Sequence, residues 1–332
     1  MLTGLSALQK VVAVAFAASL LTVYGLAAIV SLRWLVRRVR HEPPPRRSRW
    51  RIAAGRAAVA IALAGMACAA YGHFIEPRWI EVTHVQLATA KLPAGCSVRI
   101  VQISDLHCDS DFPAEDRLIS AVAGERPDII VFTGDATNSA DGLEAFRRCM
   151  RRLGDIAPVY GVRGNWDYRD PESPLARTPV RELDGEAVAV EVRGARFTLV
   201  GFPAHSRPVL AAARGPIDRA CPVVLLYHYP DEIALAGAQG VDLYLAGHTH
   251  GGQVRLPWYG AVITLTRTGK RFEWGPYAMG DTRMYVNRGI GMEGGTAPRV
   301  RFLARPEVTV FDLVSTAPAG AGRNDGVESG GR

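Results

Sequence analysis

The sequence predicts an α/β domain preceded by two transmembrane helices, and three observations support this fold class. Near the N-terminus there are two long stretches almost free of charged residues. Beyond about residue 82, short β-rich runs alternate with helical patterns, which is typical of βαβ units and a largely parallel sheet. Asp, Asn or His follows five of these runs, so polar chemistry is expected where the strands end.

The two charge-poor stretches indicate a membrane anchor over residues 1–81. Residues 11–32 carry no charge, and His73 is the only charged or basic side chain in residues 57–75, so each stretch can cross a bilayer as a helix. The Arg-rich loop between them, 33–56, holds nine arginines and three consecutive prolines. The positive-inside rule places this loop in the cytoplasm. We therefore expect a multi-pass protein of a bacterial inner membrane with its main domain on the periplasmic side.

Two alternatives exist for the anchor. The stretches could be buried core helices, although core helices are usually shorter and amphipathic. The motif RRSRW also resembles a loose twin-arginine signal, in which case the second stretch would be cleaved after export. The domain is exported in the second alternative as well.

The net charge of +7 belongs to the anchor. Residues 1–78 hold 11 Lys and Arg against 2 acidic residues, which leaves 28 basic and 30 acidic residues for the remainder. A nearly neutral main domain argues against nucleic-acid binding and favours membrane lipids as partners of the basic segment. The five cysteines show no CxxC spacing, and their pairing cannot be predicted.

Residues 82–313 form the predicted main domain, and residues 314–332 are predicted to be a disordered tail. Five apolar runs are predicted as buried strands of the parallel sheet: 98–103, 128–133, 157–162, 222–227 and 242–246. Helical patterns at 114–124, 142–153 and 231–239 fall between them. Three further runs lack intervening helices and predict a second sheet: 197–202, 284–289 and 308–313.

The residues that follow the five runs are the candidate site. In chain order they are Asp105 and His107, Asp135, Asn165, His228, and finally His248 and His250. In open α/β sheets, ligands bind outside the carboxyl ends of the strands, so these side chains should meet at one edge. An isolated Asp-x-His or a lone strand-end histidine would be weak evidence. The GHTHGGQ motif is more specific, because it exposes two imidazoles beside glycines at a strand end.

Nitrogen and oxygen ligands without a thiolate suit Mn, Fe or Zn better than Ca. Seven candidates exceed the needs of one ion, so the set predicts a binuclear centre in which one carboxylate bridges two ions and a bridging hydroxide is the nucleophile. The glycines at positions 134, 164 and 247 fit a crowded centre that leaves no room for a Cβ atom.

The ordered motifs DLH, GD, GNWD, H and GHTHGGQ resemble those of the calcineurin-like metallophosphoesterases over about residues 82–313. YVNRGIG and RPEVTVFDL resemble the small bacterial membrane-associated phosphodiesterase branch. The resemblance implies a four-layer α/β/β/α sandwich and hydrolysis of a phosphate ester with two divalent ions, Mn²⁺ first, with Fe, Zn or Mg as alternatives. It implies that the first ion is bound by Asp105, His107 and His250. It implies that the second is bound by Asn165, His228 and His248, and that Asp135 bridges the two.

One position departs from the family pattern. The family usually has a histidine after the asparagine, where it is thought to protonate the leaving group, and this chain has Trp166, whose indole has no titratable proton. Three explanations are open: a good leaving group such as a phosphoanhydride, a substitute acid in Asp167, Tyr168 or His205, or lost catalysis. Related pyrophosphatases that act on UDP-diacylglucosamine also lack that histidine, which favours the first. Trp166 could stack on substrate at the site mouth or simply fill the core.

The sequence therefore predicts a membrane-anchored phosphoesterase in which Asn165, Trp166 and Asp167 are the candidate catalytic residues. Its expected substrate is a phosphodiester or pyrophosphate, with a lipid or envelope precursor favoured because the anchor places the site near a bilayer. The alternative is a non-catalytic module that holds metal and binds a phosphorylated ligand.

Overall fold

The computed structural model describes residues 7–43, 48–169, 172–293 and 299–317. Two long helices come first, α1 (Ala7–Val39) and α2 (Arg49–Phe74). Their most apolar 18-residue windows have mean hydropathies of 2.2 and 1.8, and only 6% of each window is buried. Both are long and apolar enough to cross a membrane, and their exposure is unlike that of a core helix.

The Arg-rich segment that was predicted as loop 33–56 is mostly helical. Helix α1 continues through Arg37 and Arg38, and α2 already begins at Arg49. The prediction ended each helix at the edge of its apolar stretch. Arginine is a strong helix former, however, so the backbone hydrogen bonds continue past the point where the side chains become polar.

The main domain contains fourteen strands and three further helices among the described residues. The strands are β1 (Glu81–Thr89), β2 (Ser97–Ile103), β3 (Ile129–Phe132), β4 (Val159–Gly161), β5 (Arg181–Glu182), β6 (Glu186–Val192), β7 (Ala195–Phe202), β8 (Val223–Tyr227), β9 (Leu243–Ala246), β10 (Arg255–Leu256), β11 (Gly260–Ala261), β12 (Gly275–Met279), β13 (Thr282–Val286) and β14 (Glu307–Ser315). The helices are α3 (Glu115–Glu125), α4 (Leu143–Gly154) and α5 (Ile233–Ala238).

Twelve of these strands form two six-stranded sheets. The first has the order β1-β14-β2-β3-β4-β5, and the second has the order β12-β13-β9-β8-β7-β6. The centre of each sheet is parallel, through β2, β3 and β4 in the first and through β13, β9, β8 and β7 in the second. Strands β10 and β11 form a separate antiparallel hairpin.

Three apolar clusters arrange these elements in four layers. One cluster packs α3 and α4 on the outer face of the first sheet through Leu118 and Phe146, among others. A second fills the space between the sheets, and the third packs α5 on the outer face of the second sheet. The α/β/β/α sandwich implied by the family resemblance is thus confirmed.

The assignment of strands to sheets differs from the sequence prediction. The runs at 222–227 and 242–246 were predicted to share a sheet with 98–103, but they are β8 and β9 of the second sheet. Conversely, the run at 308–313 is β14, which pairs antiparallel with β2 in the first. An apolar run reports that a strand is buried, and it carries no information on which neighbour it pairs with.

The C-terminal boundary lies slightly beyond the predicted one, since β14 extends to Ser315. Most of the predicted disordered tail, residues 318–332, lies outside the described residues.

Candidate metal centre

Two clusters of buried side chains lie at the carboxyl ends of the strands. One contains Asp105, His107 and His250, and the other contains Asp135, His228 and His248; in each, one potential ligand atom per residue lies within 4.8 Å of the others. These residues follow β2, β3, β8 and β9, so both sheets contribute to the same edge.

Asp135 lies between the two clusters. Its Oδ2 is 3.2 Å from Nε2 of His228 and 3.6 Å from Nε2 of His107. Asn165, which follows β4, joins the second cluster with its Oδ1 3.0 Å from Nε2 of His228. All seven side chains that the sequence analysis selected are therefore brought together, and one carboxylate faces both halves of the set.

The backbone is strained at this edge. Positive φ angles are uncommon outside glycine and concentrate at functional sites. Five of the seven selected residues adopt them: Asp105 at 49°, His107 at 41°, Asp135 at 62°, His248 at 72° and His250 at 51°. The surrounding sandwich holds these turns in place, and the bends direct several side chains from one segment to the same point.

Glycines make the close approach of these turns feasible. A Cβ atom on Gly247 would lie 2.3 Å from Oδ2 of Asp105, and one on Gly164 would lie 2.2 Å from Oδ1 of Asp135. Gly134 has a φ of 102°, and its Cβ would lie 2.4 Å from the backbone nitrogen of Gly164. The sequence prediction that these three glycines leave space at a crowded site is confirmed.

The protonation states of three candidate ligands suit metal binding. Burial lowers the pKa of His107 and of His248 to about 4, and it lowers that of His250 well below its ordinary value. These imidazoles are therefore neutral at pH 7, which is the form that binds a metal ion. Both ring nitrogens of His107 and Nε2 of His250 are buried and have no hydrogen-bond partner among the described residues. Buried nitrogens are rarely left without a partner, so this donor set fits a pair of divalent ions.

His228 and Asp135 behave as a charged pair in the protein alone. Burial disfavours the charged form of His228, but the Asp135 carboxylate outweighs it and raises the pKa of His228 to about 10. Burial likewise raises the pKa of Asp135, and the two imidazoles, His228 before His107, more than reverse this and hold it below its usual range. Asp135 is thus anionic at the position where metal cations are expected to bind.

Neighbouring groups fix the orientation of the selected side chains. The backbone carbonyl of Thr133 lies 2.8 Å from Nδ1 of His228, which leaves Nε2 facing the site. The hydroxyl of Ser104 donates to Oδ2 of Asp105 at 2.5 Å, and the backbone N–H of His248 contacts the same carboxylate at 3.1 Å. Contacts of this type usually set the tautomer and geometry of metal ligands.

Asp167 is buried and accepts three backbone hydrogen bonds. Its Oδ2 accepts from the N–H groups of Asp135 and Gly164 at 2.9 and 2.8 Å, and its Oδ1 accepts from Ala136 at 2.7 Å. Burial, and next the Asp135 charge, raise the pKa of Asp167 to about 6. This carboxylate joins the turns after β3 and β4 and is engaged by backbone on both oxygens, which does not suit delivery of a proton to a substrate.

Trp166 is 8% exposed and lies against the first cluster. Its ring meets the ring of His107 edge to face, with centroids 5.1 Å apart, and the Arg169 guanidinium covers it at 3.2 Å from the ring centroid. The pKa of the nearby Glu293 carboxyl is raised by burial and next by Asp135. The indole therefore covers a candidate ligand from outside and is neither deep core filling nor an open stacking platform.

The other two candidate acids lie beside the second cluster. Tyr168 and His205 pack edge to face with centroids 4.6 Å apart. His205 lines a cavity of about 400 Å³ that reaches Asn165 and His248 and is bordered by aromatic, basic and acidic residues: Arg207, Tyr227, Tyr229, Asp231, Glu232 and Arg267.

Sequence reasoning missed Arg301, which is fully buried beside the first cluster. Its guanidinium donates to the carbonyls of Arg288, Gly289 and Gly291 and lies 3.5 Å from Nδ1 of His250. Arg301 follows no strand and belongs to no motif. The only signal available was the proximity of an arginine to the YVNRGIG segment, and that signal is too weak to select it.

Helix α2 contacts the segment that contains Arg301. The backbone N–H of Arg301 donates to the carbonyl of Gly72 at 2.8 Å, and the rings of Tyr71 and Phe302 pack edge to face at 6.2 Å. The buried Glu76 carboxylate accepts from the backbone N–H of Leu303 at 3.0 Å. Helix α2 is therefore docked on the domain, and it reaches the domain next to the candidate centre.

Comparison with known proteins supports this assignment. The family model described as calcineurin-like phosphoesterase matches residues 98–252. The chain is 33% identical over 267 residues to the uncharacterised metallophosphoesterase YkuE of Bacillus subtilis, covering 74% of this chain and 90% of YkuE. It is 30% identical over 261 residues to the phosphodiesterase YaeI of Escherichia coli, covering 74% and 92%.

A more distant relative is the UDP-2,3-diacylglucosamine pyrophosphatase LpxG of Chlamydia muridarum, which is 25% identical over 310 residues, with 73% of this chain and 91% of LpxG covered. The two closer similarities extend over nearly the whole length of these relatives. The chain thus belongs to the calcineurin-like metallophosphoesterase family of phosphate-ester hydrolases, which use a dinuclear divalent metal centre.

Proposed function

We propose that the first ion is held by Asp105, His107 and His250 and the second by Asn165, His228 and His248, with Asp135 shared between them. The single observation that carries this assignment is the position of Asp135, whose Oδ2 faces imidazoles of both clusters at 3.2 and 3.6 Å. The native metal is proposed to be Mn²⁺, because the mixed imidazole, carboxylate and amide set suits it.

The proposed reaction is hydrolysis of a phosphodiester or pyrophosphate bond. Two divalent ions supply Lewis-acid activation of water and neutralise charge on the phosphoryl oxygens. The protein keeps Asp135 ionised, orients His228 through Thr133, and surrounds the reacting groups with buried residues. Trp166 cannot deliver a proton to the leaving group, so a phosphate leaving group, which needs little protonation, is the best match for this site.

A membrane-linked substrate is supported by the point at which the anchor joins the domain. Strand β1 runs parallel to β14, which runs antiparallel to β2. Glu81, the first residue of β1, therefore lies at the edge of the sheet where β2 ends and the candidate ligands begin. With α2 in a bilayer, this edge lies next to the headgroup layer.

The cavity beside Asn165 and His248 is proposed to receive the polar part of the substrate. Tyr229 offers an aromatic surface. Arg207 and Arg267 also border the cavity, and both pair with Glu232, at 3.4 and 2.7 Å. The names of two relatives, a phosphodiesterase and a UDP-2,3-diacylglucosamine pyrophosphatase, agree with this substrate class.

The proposed topology has α1 and α2 crossing a bacterial inner membrane, with the arginines between them in the cytoplasm and the hydrolase domain in the periplasm. A reporter fused after residue 313 tests it. We expect an exported phosphatase reporter to be active and a reporter that works only in the cytoplasm to be inactive; the reverse pattern would overturn the topology without touching the chemistry.

The reaction is tested with the full chain in nanodiscs loaded with Mn²⁺ and supplied with phosphomonoesters, phosphodiesters and nucleotide-linked pyrophosphates. We expect turnover of pyrophosphates and activated diesters, little turnover of alkyl monoesters, and loss of all turnover in Asp135→Asn. Stoichiometric metal without turnover of any substrate would contradict the proposal and support the metal-holding binding module.

A further inference from the structure

The hairpin formed by β10 and β11 places aromatic side chains in solvent. We call residues 254–262 the aromatic hairpin. At its tip, Trp258 is 104% exposed and Tyr259 is 41% exposed. Trp258 has a φ of 62°, a strained conformation for a bulky residue. Leaving a whole indole in water is unfavourable, so a tip of this composition indicates a surface that another phase or molecule covers.

One end of the aromatic hairpin is attached to the end of α2. The backbone N–H of Arg255 donates to the carbonyl of Phe302 at 2.9 Å, and the N–H of Phe302 donates to the carbonyl of Gln253 at 2.8 Å. Phe302 in turn packs on Tyr71 of α2. The hairpin therefore starts at the level where the second apolar helix reaches the domain.

The other end is attached to the start of α1. Nε2 of Gln9, which is 4% exposed, donates to Oγ1 of Thr264 at 3.0 Å. Because α1 begins where α2 ends, Gln9 and Tyr71 mark the same side of a bilayer that contains both helices. The chain from Arg255 to Thr264 thus runs between two points at that level, with the exposed indole between them.

We propose that the tip of the aromatic hairpin inserts Trp258 into the headgroup layer of the bilayer that holds α1 and α2. Tryptophan and tyrosine are enriched at this interface, because their rings are apolar and their N–H and O–H groups find water there. Lys270 lies 4.1 Å from the Tyr259 ring centroid and is paired with Glu273 at 2.5 Å, whereas the next residue, Arg271, is exposed and can meet lipid phosphates. Lipid is the occupant because the contact continues the surface that the two helices already present.

The segment after the aromatic hairpin also contacts the candidate metal centre. The carbonyl of Leu265 lies 3.3 Å from Nε2 of His248, and the hydroxyl of Thr249 donates to the carbonyl of Glu273 at 2.6 Å. A bilayer contact at Trp258 would hold this segment against His248 and keep the site mouth at the lipid surface. The inference deepens the proposed function and rests on its placement of α1 and α2 in a bilayer.

The test is fluorescence quenching in the full chain, reconstituted in vesicles of phosphatidylethanolamine and phosphatidylglycerol with or without lipids brominated near the headgroup. The spectrum of the parent protein minus that of Trp258→Phe isolates the emission of Trp258. We expect this difference emission to lie at shorter wavelength than tryptophan in water, and we expect shallow brominated lipids to reduce it at least about twofold. Deeply brominated lipids should quench it less.

Two matched substitutions make every outcome decisive. Trp50→Phe, in the first turn of α2, reports a tryptophan of the anchor itself, and its difference emission should also be quenched. Trp274→Phe reports a tryptophan that is 36% exposed, against 104% for Trp258, and has Arg288 at 4.5 Å from its ring centroid, so it should be quenched less than Trp258. Quenching at Trp50 without quenching at Trp258 would overturn the hairpin contact alone. Absence of quenching at both would overturn the membrane placement, whereas the hydrolytic activity is tested separately.

Folding of the Trp258→Phe protein is verified by its turnover of bis(p-nitrophenyl) phosphate, a soluble substrate. We expect this turnover to match that of the parent protein, because Trp258 is outside the candidate metal centre. The quenching result therefore depends on the position of the indole and is independent of catalysis.

Discussion

The backbone N–H of Trp166 donates a hydrogen bond to Oδ1 of Asp135 at 2.8 Å. This contact leaves Oδ2 of Asp135 to face His228 and His107. Position 166 thus has two separable roles. Its backbone N–H orients the Asp135 carboxylate whatever side chain the residue carries, while its indole covers His107. Only the second role depends on having tryptophan where the family usually has histidine.

The shared role of Asp135 predicts a severe effect of Asp135→Asn. The substitution keeps the shape of the side chain but removes the negative charge that faces both clusters. We expect metal content to fall below two ions per chain and kcat/KM on bis(p-nitrophenyl) phosphate to fall at least about 100-fold, since even residues that only support metal ligands usually contribute 10- to 100-fold. Elemental analysis and steady-state kinetics measure the two effects.

Asp281→Asn, at the exposed turn between β12 and β13, is the control and should change neither metal content nor kcat/KM. A fully active Asp135→Asn protein would disprove the shared role.

Gly247→Ala tests the close packing of the site. The added methyl group would lie 2.1 Å from Oγ of Ser104 and 2.3 Å from Oδ2 of Asp105, so one of these groups must move. We expect the free energy of unfolding to fall by about 1–3 kcal/mol and metal content to fall with it. Gly124→Ala is the matched control, because it lies in α3 and its Cβ would meet no atom within 4 Å. It should stabilise the protein slightly, by about 0.4–1 kcal/mol. Equal stability of the two variants would contradict the packing argument.

Asp167→Asn distinguishes a proton donor from a residue that holds loops together. Asparagine offers one acceptor oxygen in place of two, so at least one of the three backbone N–H groups loses its partner. We expect a loss of about 1.5–3 kcal/mol in the free energy of unfolding, measured by denaturant titration, and a similar loss of activity on all substrates. A catalytic acid at this position would instead leave stability unchanged and reduce turnover only of substrates with poor leaving groups.

Much of this arrangement could be predicted because the chemistry lies at strand ends. Asp135 and His228 follow apolar runs that the sequence displays plainly, and burial requires such runs to become strands. The pairing of β8 and β14 with their sheets could not be predicted, since it depends on contacts between distant segments. Asp167 was identified as a candidate acid because its backbone partners are invisible in the sequence.

Arg301 was missed for the same reason, and its surroundings predict that lysine cannot replace it. The guanidinium reaches carbonyls on several sides, including Gly291 at 3.0 Å through Nε and Ala304 at 2.9 Å through Nη1. The lysine ammonium is a single point with three donors and cannot satisfy them all. We expect Arg301→Lys to lower the free energy of unfolding by at least about 2 kcal/mol and to reduce metal content through His250.

The control for this prediction is Arg299→Lys. Arg299 is partly exposed and pairs with Asp109 at 2.5 Å near the surface, and exposed pairs contribute little, about 0–1 kcal/mol. Thermal unfolding in detergent and elemental analysis compare the two variants. If both lose the same stability, or if Arg301→Lys retains full metal content, Arg301 has no role in positioning His250.

Trp166→His tests whether the protein hydrolyses its substrate without a general acid at the position where the family usually has histidine. The parent protein has no titratable side chain at this position, so its kcat/KM should depend steeply on the pKa of the leaving group. We expect a much higher kcat/KM for activated aryl diesters and pyrophosphates than for alkyl esters. The imidazole of Trp166→His can donate a proton, and a well-placed general acid contributes about 10²–10⁴-fold. We expect kcat/KM for alkyl diesters to rise about tenfold or more while that for pyrophosphates changes little, so that kcat/KM would depend less steeply on the leaving-group pKa.

Trp166→Phe is the control, because it keeps an aromatic ring over His107 without a titratable group and should retain the steep dependence on the leaving-group pKa. A flat dependence already present in the parent protein would show that another side chain supplies the proton.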